Sequence, residues 1–243
     1  MSESYGPLAS FYDRLTLDVP YSQFADFYER RFDACGDVHT VLDLCCGTGT
    51  LTWMMAQRGY EMIACDLSSD MLMQASAKSY DAAVPPLWLC QSASRLDLYG
   101  TVDAAYCSLD GMDYIPPEEL DEVFRRLHLF IRPDGLFIFD IRTPEWFRSI
   151  DGEIFVDESD DMLCLWRADF DEDNELMCYG MDIFSKQGKL WRRESEEHIE
   201  YAHKPEGLKA LLSAAGFTDI ELISDCPQGD AGRMFITAKN TEH

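Results

Sequence analysis

The run Val41–Thr50 combines residue types that could bind a nucleotide-like ligand. It reads Val-Leu-Asp-Leu-Cys-Cys-Gly-Thr-Gly-Thr, an apolar segment with an acid inside it, followed by a glycine-containing turn. Gly47 and Gly49 let the backbone approach a ligand closely. A helix that begins after them would offer backbone N–H groups to a negatively charged group. Asp43 would repel a pyrophosphate and attract a ligand that carries an amino group.

A second acid, Asp66, follows the next apolar run, 23 residues after Asp43. A carboxylate at the end of the second strand of an open α/β sheet is placed to accept hydrogen bonds from two ribose hydroxyls. A dinucleotide fingerprint would also need a third glycine in the following helix, where this sequence has Thr52. The pattern therefore disfavours a dinucleotide.

The elements that must position these acids alternate along the chain. Apolar runs predict strands, and segments with helical spacing between them predict helices. This alternation is typical of a doubly wound α/β fold with a mostly parallel sheet, here of seven strands. The predicted strands are Thr40–Cys45, Glu61–Cys65, Leu87–Cys90, Val102–Cys107, Leu136–Asp140, Asp219–Ile223 and Arg233–Ala238, and the predicted helices are Tyr21–Phe32, Thr50–Arg58, Ser69–Lys78, Pro117–Ile131 and Pro205–Ala215.

The pattern changes between Ile154 and Tyr201. Alternating apolar and polar residues there flank the turn signals Asp-Glu-Asp-Asn and Lys-Gln-Gly-Lys. We therefore expect an antiparallel β insertion after the fifth strand.

Composition limits the class of partner. The chain of 243 residues has 45 acidic and 20 basic residues, a net charge of −25. Such a charge disfavours nucleic acids and anionic membranes. The sequence predicts no signal peptide, and no apolar stretch reaches membrane-spanning length. Its nine dispersed cysteines, without a C-x-x-C pair, indicate buried free thiols and no metal site. We expect a cytoplasmic monomer or homodimer.

Several segments carry a resemblance to a known family. Val41–Thr50 resembles the first motif of class I S-adenosylmethionine-dependent methyltransferases, with Asp43 as its acid and Cys45 in place of its first glycine. Cys65–Leu72 is similar to the second motif, and Leu89–Ala93 to the third-strand segment. The resemblance implies S-adenosylmethionine as cofactor and S-adenosylhomocysteine as product.

The resemblance also implies positions for the cofactor and the acceptor. Asp66 would bind the ribose, and Leu67 and Met71 would pack on the adenine. The other expected cofactor contacts are Asp43, Cys45, Gly47, Gly49, Ser92, Ala93 and Ser108. A small-molecule subgroup implies that residues 1–36 form a helical cover over the cofactor. It also implies that the antiparallel β insertion, residues 146–202, roofs the acceptor pocket, on a methyltransferase domain formed by residues 37–145 and 203–243.

The acceptor pocket has five candidate residues and no assigned catalytic residue. The candidates are Tyr12, Tyr21, Asp110, Trp146 and His198. An amine acceptor needs only to be neutral and oriented, whereas a hydroxyl acceptor would need a base such as His198 or Asp110. We therefore expect methyl transfer to nitrogen of a small molecule. Two alternatives stay open: a nicotinamide-dependent oxidoreductase, and a non-enzymatic module that binds S-adenosylmethionine.

Overall fold

A computed structural model describes residues 6–78, 84–223, 227 and 232–241. Its main sheet has seven strands, which are β1 (Thr40–Leu44), β2 (Glu61–Asp66), β3 (Leu87–Cys90), β4 (Val102–Cys107), β5 (Ile131–Arg142), β10 (Phe217–Ile223) and β11 (Arg233–Asn240). Their order in the sheet is β10-β11-β5-β4-β1-β2-β3. Strands β1 to β5 are parallel, and β11 is antiparallel to both β5 and β10.

Helices cover both faces of this sheet because its central strands are apolar on both sides. On β5, Phe137 and Phe139 pack into one core and Ile138 into the other. The long helices are α3 (Tyr21–Cys35), α4 (Thr50–Gln57), α5 (Ser69–Lys78), α6 (Leu120–Phe130) and α8 (Pro205–Ala215). Helices α6 and α8 pack on the first core, and α3 and α4 pack on the second.

A second sheet of four antiparallel strands follows the short helix α7 (Pro144–Ser149). Asp171 closes one of its turns by accepting the backbone N–H groups of Asp173 and Asn174, each at 3.0 Å. The strands are β6 (Ile154–Ser159), β7 (Met162–Asp171), β8 (Leu176–Gln187) and β9 (Leu190–Tyr201). The predicted doubly wound, mostly parallel seven-stranded sheet with an antiparallel β insertion is therefore confirmed.

Two short helices near the start of the chain lie between the sheets. They are α1 (Gly6–Ala9) and α2 (Tyr12–Leu15), of four residues each, and the sequence analysis did not predict them. Leu8 is buried against Met162 and Met181 of the second sheet. None of the helices in the described part of the chain is long and apolar enough to cross a membrane.

The boundaries of α6 and β5 are among those that differ from the prediction. The segment predicted as one helix from Pro117 to Ile131 is a 3-10 turn at Pro117–Glu119 followed by α6. Strand β5 begins at Ile131 and not at Leu136, because the chain pairs with β4 on both sides of an irregularity. A Cβ on Gly135 would lie 2.6 Å from the backbone oxygen of Asp103, so only glycine fits there.

Asp43 joins three elements beneath the glycine turn. Its Oδ2 accepts hydrogen bonds from the Thr52 hydroxyl of α4 at 2.5 Å and from the Tyr106 hydroxyl of β4 at 2.8 Å. The residue is only 2% exposed. Burial raises the pKa of Asp43 to about 7, although both hydrogen bonds oppose this rise. The acid therefore fixes the start of α4 relative to β1 and β4.

This burial predicts a pH dependence of stability. Asp43 holds its proton to about pH 7 in the folded protein, whereas an unfolded aspartate ionises near pH 4. The stability that the protonated group contributes is therefore present below about pH 4 and lost as the pH rises to about 7. In wild type the free energy of unfolding should fall over this range with a slope of up to about 1.4 kcal/mol per pH unit. We expect Asp43→Asn to lack this contribution to the slope. Urea unfolding between pH 4 and 8 measures it.

The exposed Asp37 provides the control, since its side chain is 88% accessible. Asp37→Asn should leave the slope of the wild-type protein unchanged. Parallel stability curves for Asp43→Asn and wild type would contradict the assignment.

Candidate functional site

The turn after β1 has three residues in the left-handed region. Cys45, Gly47 and Gly49 have φ values of 58°, 53° and 68°. A Cβ on Gly49 would lie 2.6 Å from Cη2 of Trp88, whereas the space around Gly47 is open. Cys45 carries its side chain in this region at a cost of ~1–2 kcal/mol, at the position where the similar motif has a glycine. The turn therefore presents backbone to an open surface at Gly47.

Asp66 holds this turn from the end of β2. One carboxylate oxygen accepts the Gly47 N–H and the other accepts the Ser68 N–H, both at 2.8 Å. An ionised carboxylate has about four acceptor sites, so further sites are left for hydroxyl donors. Burial raises the pKa of Asp66, and hydrogen bonds from backbone N–H groups oppose this rise. The spare acceptor sites and the open surface at Gly47 fit a ribose.

The other predicted cofactor residues have different surroundings. Leu67 is 74% exposed beside Asp66, whereas Met71 is 2% exposed. The Ser92 hydroxyl lies 2.9 Å from that of Ser94, Ala93 begins a 3-10 helix, and the Ser108 hydroxyl lies 2.8 Å from that of Tyr28. Their contacts with a cofactor, and those of Asp43 and Cys45, stay predictions.

The cysteines near the turn fit packing better than nucleophilic chemistry. Burial raises the pKa of the Cys46 thiol well above its ordinary value, and nearby acids raise it further. Such a thiol stays protonated and is a poor nucleophile. Among the described residues, no group of three or more His, Cys, Asp or Glu side chains could hold a metal ion.

A second strained turn follows β4. Leu109 and Asp110 have φ values of 56° and 58°, which cost ~1–3 kcal/mol each. Both backbone N–H groups donate to the carboxylate of Asp140 on β5, at 2.9 and 3.0 Å. A Cβ on Gly111 would lie 2.9 Å from the Cβ of Cys45. The turns after β1 and β4 are therefore in contact.

Two arginines face each other beside this second turn. Arg142 at the end of β5 is the register partner of Arg233 at the start of β11. Arg233 forms an ion pair with Asp140 and lies 3.4 Å from Asp110, and Arg142 lies 3.3 Å from Asp110. Burial works to raise the pKa of Asp110, but the two guanidinium groups outweigh it and hold the pKa below its ordinary value.

A cavity of about 240 Å³ opens between this turn and the second sheet. Three of the predicted acceptor residues, Tyr12, Asp110 and His198, line it together. Helix α2, the turn after β4, β5, β11 and three strands of the second sheet all contribute to its wall. The further lining residues are Leu8, Thr16, Val19, Leu109, Tyr114, Arg142, Trp166, Tyr179, Met181, Glu200 and Arg233.

The other two predicted acceptor residues lie behind the wall. The Tyr21 hydroxyl donates to the Thr16 hydroxyl at 3.2 Å. The ring centroid of Trp146 lies 4.2 Å from the guanidinium carbon of Arg142. A Cβ on Gly232 would collide with the Trp146 ring. These two side chains thus support residues that line the cavity and do not line it themselves.

Sequence reasoning identified His198 of β9 but missed Glu196 and Glu200 of the same strand, and it missed Arg142 and Arg233. Glu196, His198 and Glu200 are all buried, and their i, i+2, i+4 spacing puts them on one face of a strand. This spacing of polar residues was an available signal. Arg142 was also detectable, because it lies two residues after the fifth predicted strand, Leu136–Asp140. It is therefore at the same edge of the sheet as Asp43 and Asp66.

Two buried carboxylates of β9 differ in their hydrogen bonds. Glu196 Oε2 lies 3.0 Å from His198 Nε2, and Glu196 Oε1 accepts the Leu8 N–H at 2.7 Å. Glu200 interacts with the Tyr114 hydroxyl, and its Oε2 atom has no hydrogen-bond partner in the described structure. Glu200 thus offers a buried, unsatisfied acceptor in a residue that lines the cavity.

Helix α2 connects the glycine turn to the second sheet. Asp13 accepts hydrogen bonds from the hydroxyls of Thr48 at 2.6 Å and Thr50 at 3.3 Å, and forms an ion pair with Lys78. On the other side, Arg14 lies 2.5 Å from Asp161, in the turn that joins β6 and β7 of the second sheet. The helix therefore forms part of the cavity wall and is tied to the glycine turn.

Comparisons with known proteins agree with this geometry. Residues 41–135 match the methyltransferase domain family. The chain is 26% identical to the "Putative methyltransferase YqeM" of Bacillus subtilis (strain 168), over 98% of both chains.

Solved structures give the same result. An S-adenosylmethionine-dependent methyltransferase from Clostridium acetobutylicum ATCC 824 is 27% identical, with a TM-score of 0.86 over 98% of this chain and 99% of that one. The sugar N-methyltransferase KedS8 from Streptoalloteichus sp. ATCC 53650 shares the fold at 20% identity, with a TM-score of 0.80 over 95% and 93%. These likenesses support an S-adenosylmethionine-dependent methyltransferase and not the alternatives of an oxidoreductase or a non-enzymatic binding module.

Proposed function

We propose that the enzyme transfers the methyl group of S-adenosylmethionine to a nitrogen atom of a small molecule bound in the cavity. The contact between the two strained turns carries this proposal. The glycine turn and Asp66 fit the adenosine part of the cofactor, and Asp110 belongs both to the second turn and to the cavity wall. The reacting groups would therefore meet where the turns touch.

The size and charge of the site support a small acceptor. A volume of about 240 Å³ suits a molecule of small size. The net charge of −25 disfavours a polyanion. The KedS8 structure with the same fold is named a sugar N-methyltransferase, which also supports transfer to nitrogen.

The chemistry requires orientation more than covalent assistance. The bound cofactor supplies a sulfonium group that is already a good methyl donor. Holding an acceptor nitrogen in line with that group can supply ~7–11 kcal/mol of the barrier. The buried network of Asp110, Arg142 and Arg233 suits this task, because its charges are paired and fixed.

We further propose the roles of the three parts of the chain. Residues 37–145 and 203–243 bind the cofactor, residues 1–36 cover it, and residues 146–202 roof the acceptor pocket. The contacts of Asp13 with Thr48 and Lys78 support the covering role.

A comparison of acceptors tests the choice of nitrogen. Amino sugars and aliphatic amines are incubated with enzyme and cofactor beside their hydroxyl counterparts, and release of S-adenosylhomocysteine is followed. We expect at least ~10-fold faster turnover of amines, because a neutral amine needs no base. Preferred turnover of the hydroxyl compounds would contradict the proposal.

The substitution Asp66→Ala tests the cofactor site. Loss of hydrogen bonds between a carboxylate and two ribose hydroxyls, each worth ~1.5–3 kcal/mol, should weaken S-adenosylhomocysteine binding by ~100-fold or more. Isothermal titration measures this, with thermal unfolding to verify the fold. Asp70→Ala, on the next helix turn, is the control and should bind like wild type. Equal affinity of Asp66→Ala and wild type for S-adenosylhomocysteine would contradict the proposal that Asp66 binds the ribose.

The substitution Asp13→Ala tests the cover. It removes the acceptor shared by Thr48, Thr50 and Lys78, so we expect ~10-fold faster dissociation of S-adenosylhomocysteine, a loss equivalent to ~1.4 kcal/mol. Stopped-flow displacement measures the rate. The control is Asp18→Ala, an exposed acid of the same segment. Unchanged dissociation from the Asp13 variant would refute the cover.

A further inference from the structure

Glu200 is a buried acid in the cavity that the proposed transfer does not yet use. It is 6% exposed, lies on β9 and lines the cavity. Its Oε2 atom is buried without a hydrogen-bond partner. A buried unsatisfied acceptor costs ~1–3 kcal/mol, so a ligand that donates a hydrogen bond to it would remove this cost.

Charged groups on several elements act on Glu200 in opposite directions. Asp110 opposes its ionisation, and Arg142 and Arg233 favour it. Burial is the largest influence and raises the pKa of Glu200 to about 8. The groups that face it are Tyr12 of α2, Asp110 of the turn after β4, Asp113 and Tyr114 of the following 3-10 helix, Arg142 of β5, Arg233 of β11, Tyr179 of β8 and His198 of β9 itself.

We propose that Glu200 binds the ammonium group of a cationic amine acceptor and takes its proton before methyl transfer. The inference rests on the proposed function and names its substrate class, an amine that is protonated in solution. The Oε2 atom is the only carboxylate oxygen among the described lining residues that lacks a partner. Asp110 is already held by Arg142 and Arg233.

The proposed step is balanced in protons and charge. The Glu200 carboxylate takes one proton from R–NH3⁺, which gives a carboxylic acid and a neutral amine. The nitrogen lone pair forms the new N–CH3 bond, and the electron pair of the broken S–CH3 bond stays on sulfur. The products are a methylated ammonium ion and S-adenosylhomocysteine. The Glu200 proton leaves to solvent after product release.

Nuclear magnetic resonance of the Glu200 carboxyl tests the binding step without requiring turnover. Protein labelled with ¹³C at its glutamate carboxyls is saturated with S-adenosylhomocysteine and titrated with pH, and Glu200→Gln and Glu200→Asp each identify the signal by removing it. We expect methylammonium chloride to lower the midpoint by at least ~1 pH unit relative to sodium chloride of equal ionic strength. Methanol should leave the midpoint unchanged. Equal midpoints with methylammonium and sodium would overturn the proposal.

The pH dependence of kcat/KM tests the proton transfer, with an amine that the acceptor comparison identifies. Wild type should have an acidic limb near pH 8. The Glu200→Gln profile should lack this limb, and its kcat/KM should be at least ~100-fold below that of wild type. Glu200→Asp should retain part of the limb and part of the kcat/KM. Glu194→Gln, at a half-buried position of the same strand, is the matched control and should retain the limb. A Glu200→Gln profile that overlays wild type would refute the role.

The two levels of failure are distinguishable. Absence of S-adenosylhomocysteine binding to wild type contradicts the proposed function. Normal binding in every variant, together with a Glu200 that ignores methylammonium, contradicts only the role of Glu200.

Discussion

Carboxylates at or near the ends of the parallel strands, one half-buried and one buried, hold the loops of neighbouring strands. Asp66 at the end of β2 accepts the N–H of Gly47, in the turn after β1. Asp140 near the end of β5 accepts the N–H groups of Leu109 and Asp110, in the turn after β4. A carboxylate away from water requires such donors, and each strained turn requires an external partner that fixes its conformation. Both requirements are met by the same hydrogen bonds.

This arrangement determines where the site can be. The two turns touch, so the cofactor surface near Asp66 continues into the cavity beside Asp110. The second sheet and helix α2 close the remaining sides, and Asp13 and Arg14 tie that helix to both neighbours. The main sheet thus supplies the binding surface for the cofactor, and the later strands supply charges such as Glu200 for the acceptor.

The sheet, the glycine turn and the position of Asp66 could be predicted from the sequence. The spacing of apolar residues and the residue types of turns depend on local structure, so each can be recognised within a short segment. The sequence was not sufficient for Arg233 or Glu200, because their meeting with Asp110 depends on how distant strands pack. The short helices α1 and α2 have only four residues each, too few to display a helical period. The alternation of Glu196, His198 and Glu200 along β9 did contain a signal for the inward face.

A crystal structure of the enzyme with S-adenosylhomocysteine would test the central claim most directly. We predict that the two ribose hydroxyls donate to Asp66, next to Gly47, and that the sulfur atom faces the cavity between Tyr12 and Asp110. A ligand bound elsewhere, or one bound at Asp66 with its sulfur directed away from the cavity, would contradict the account.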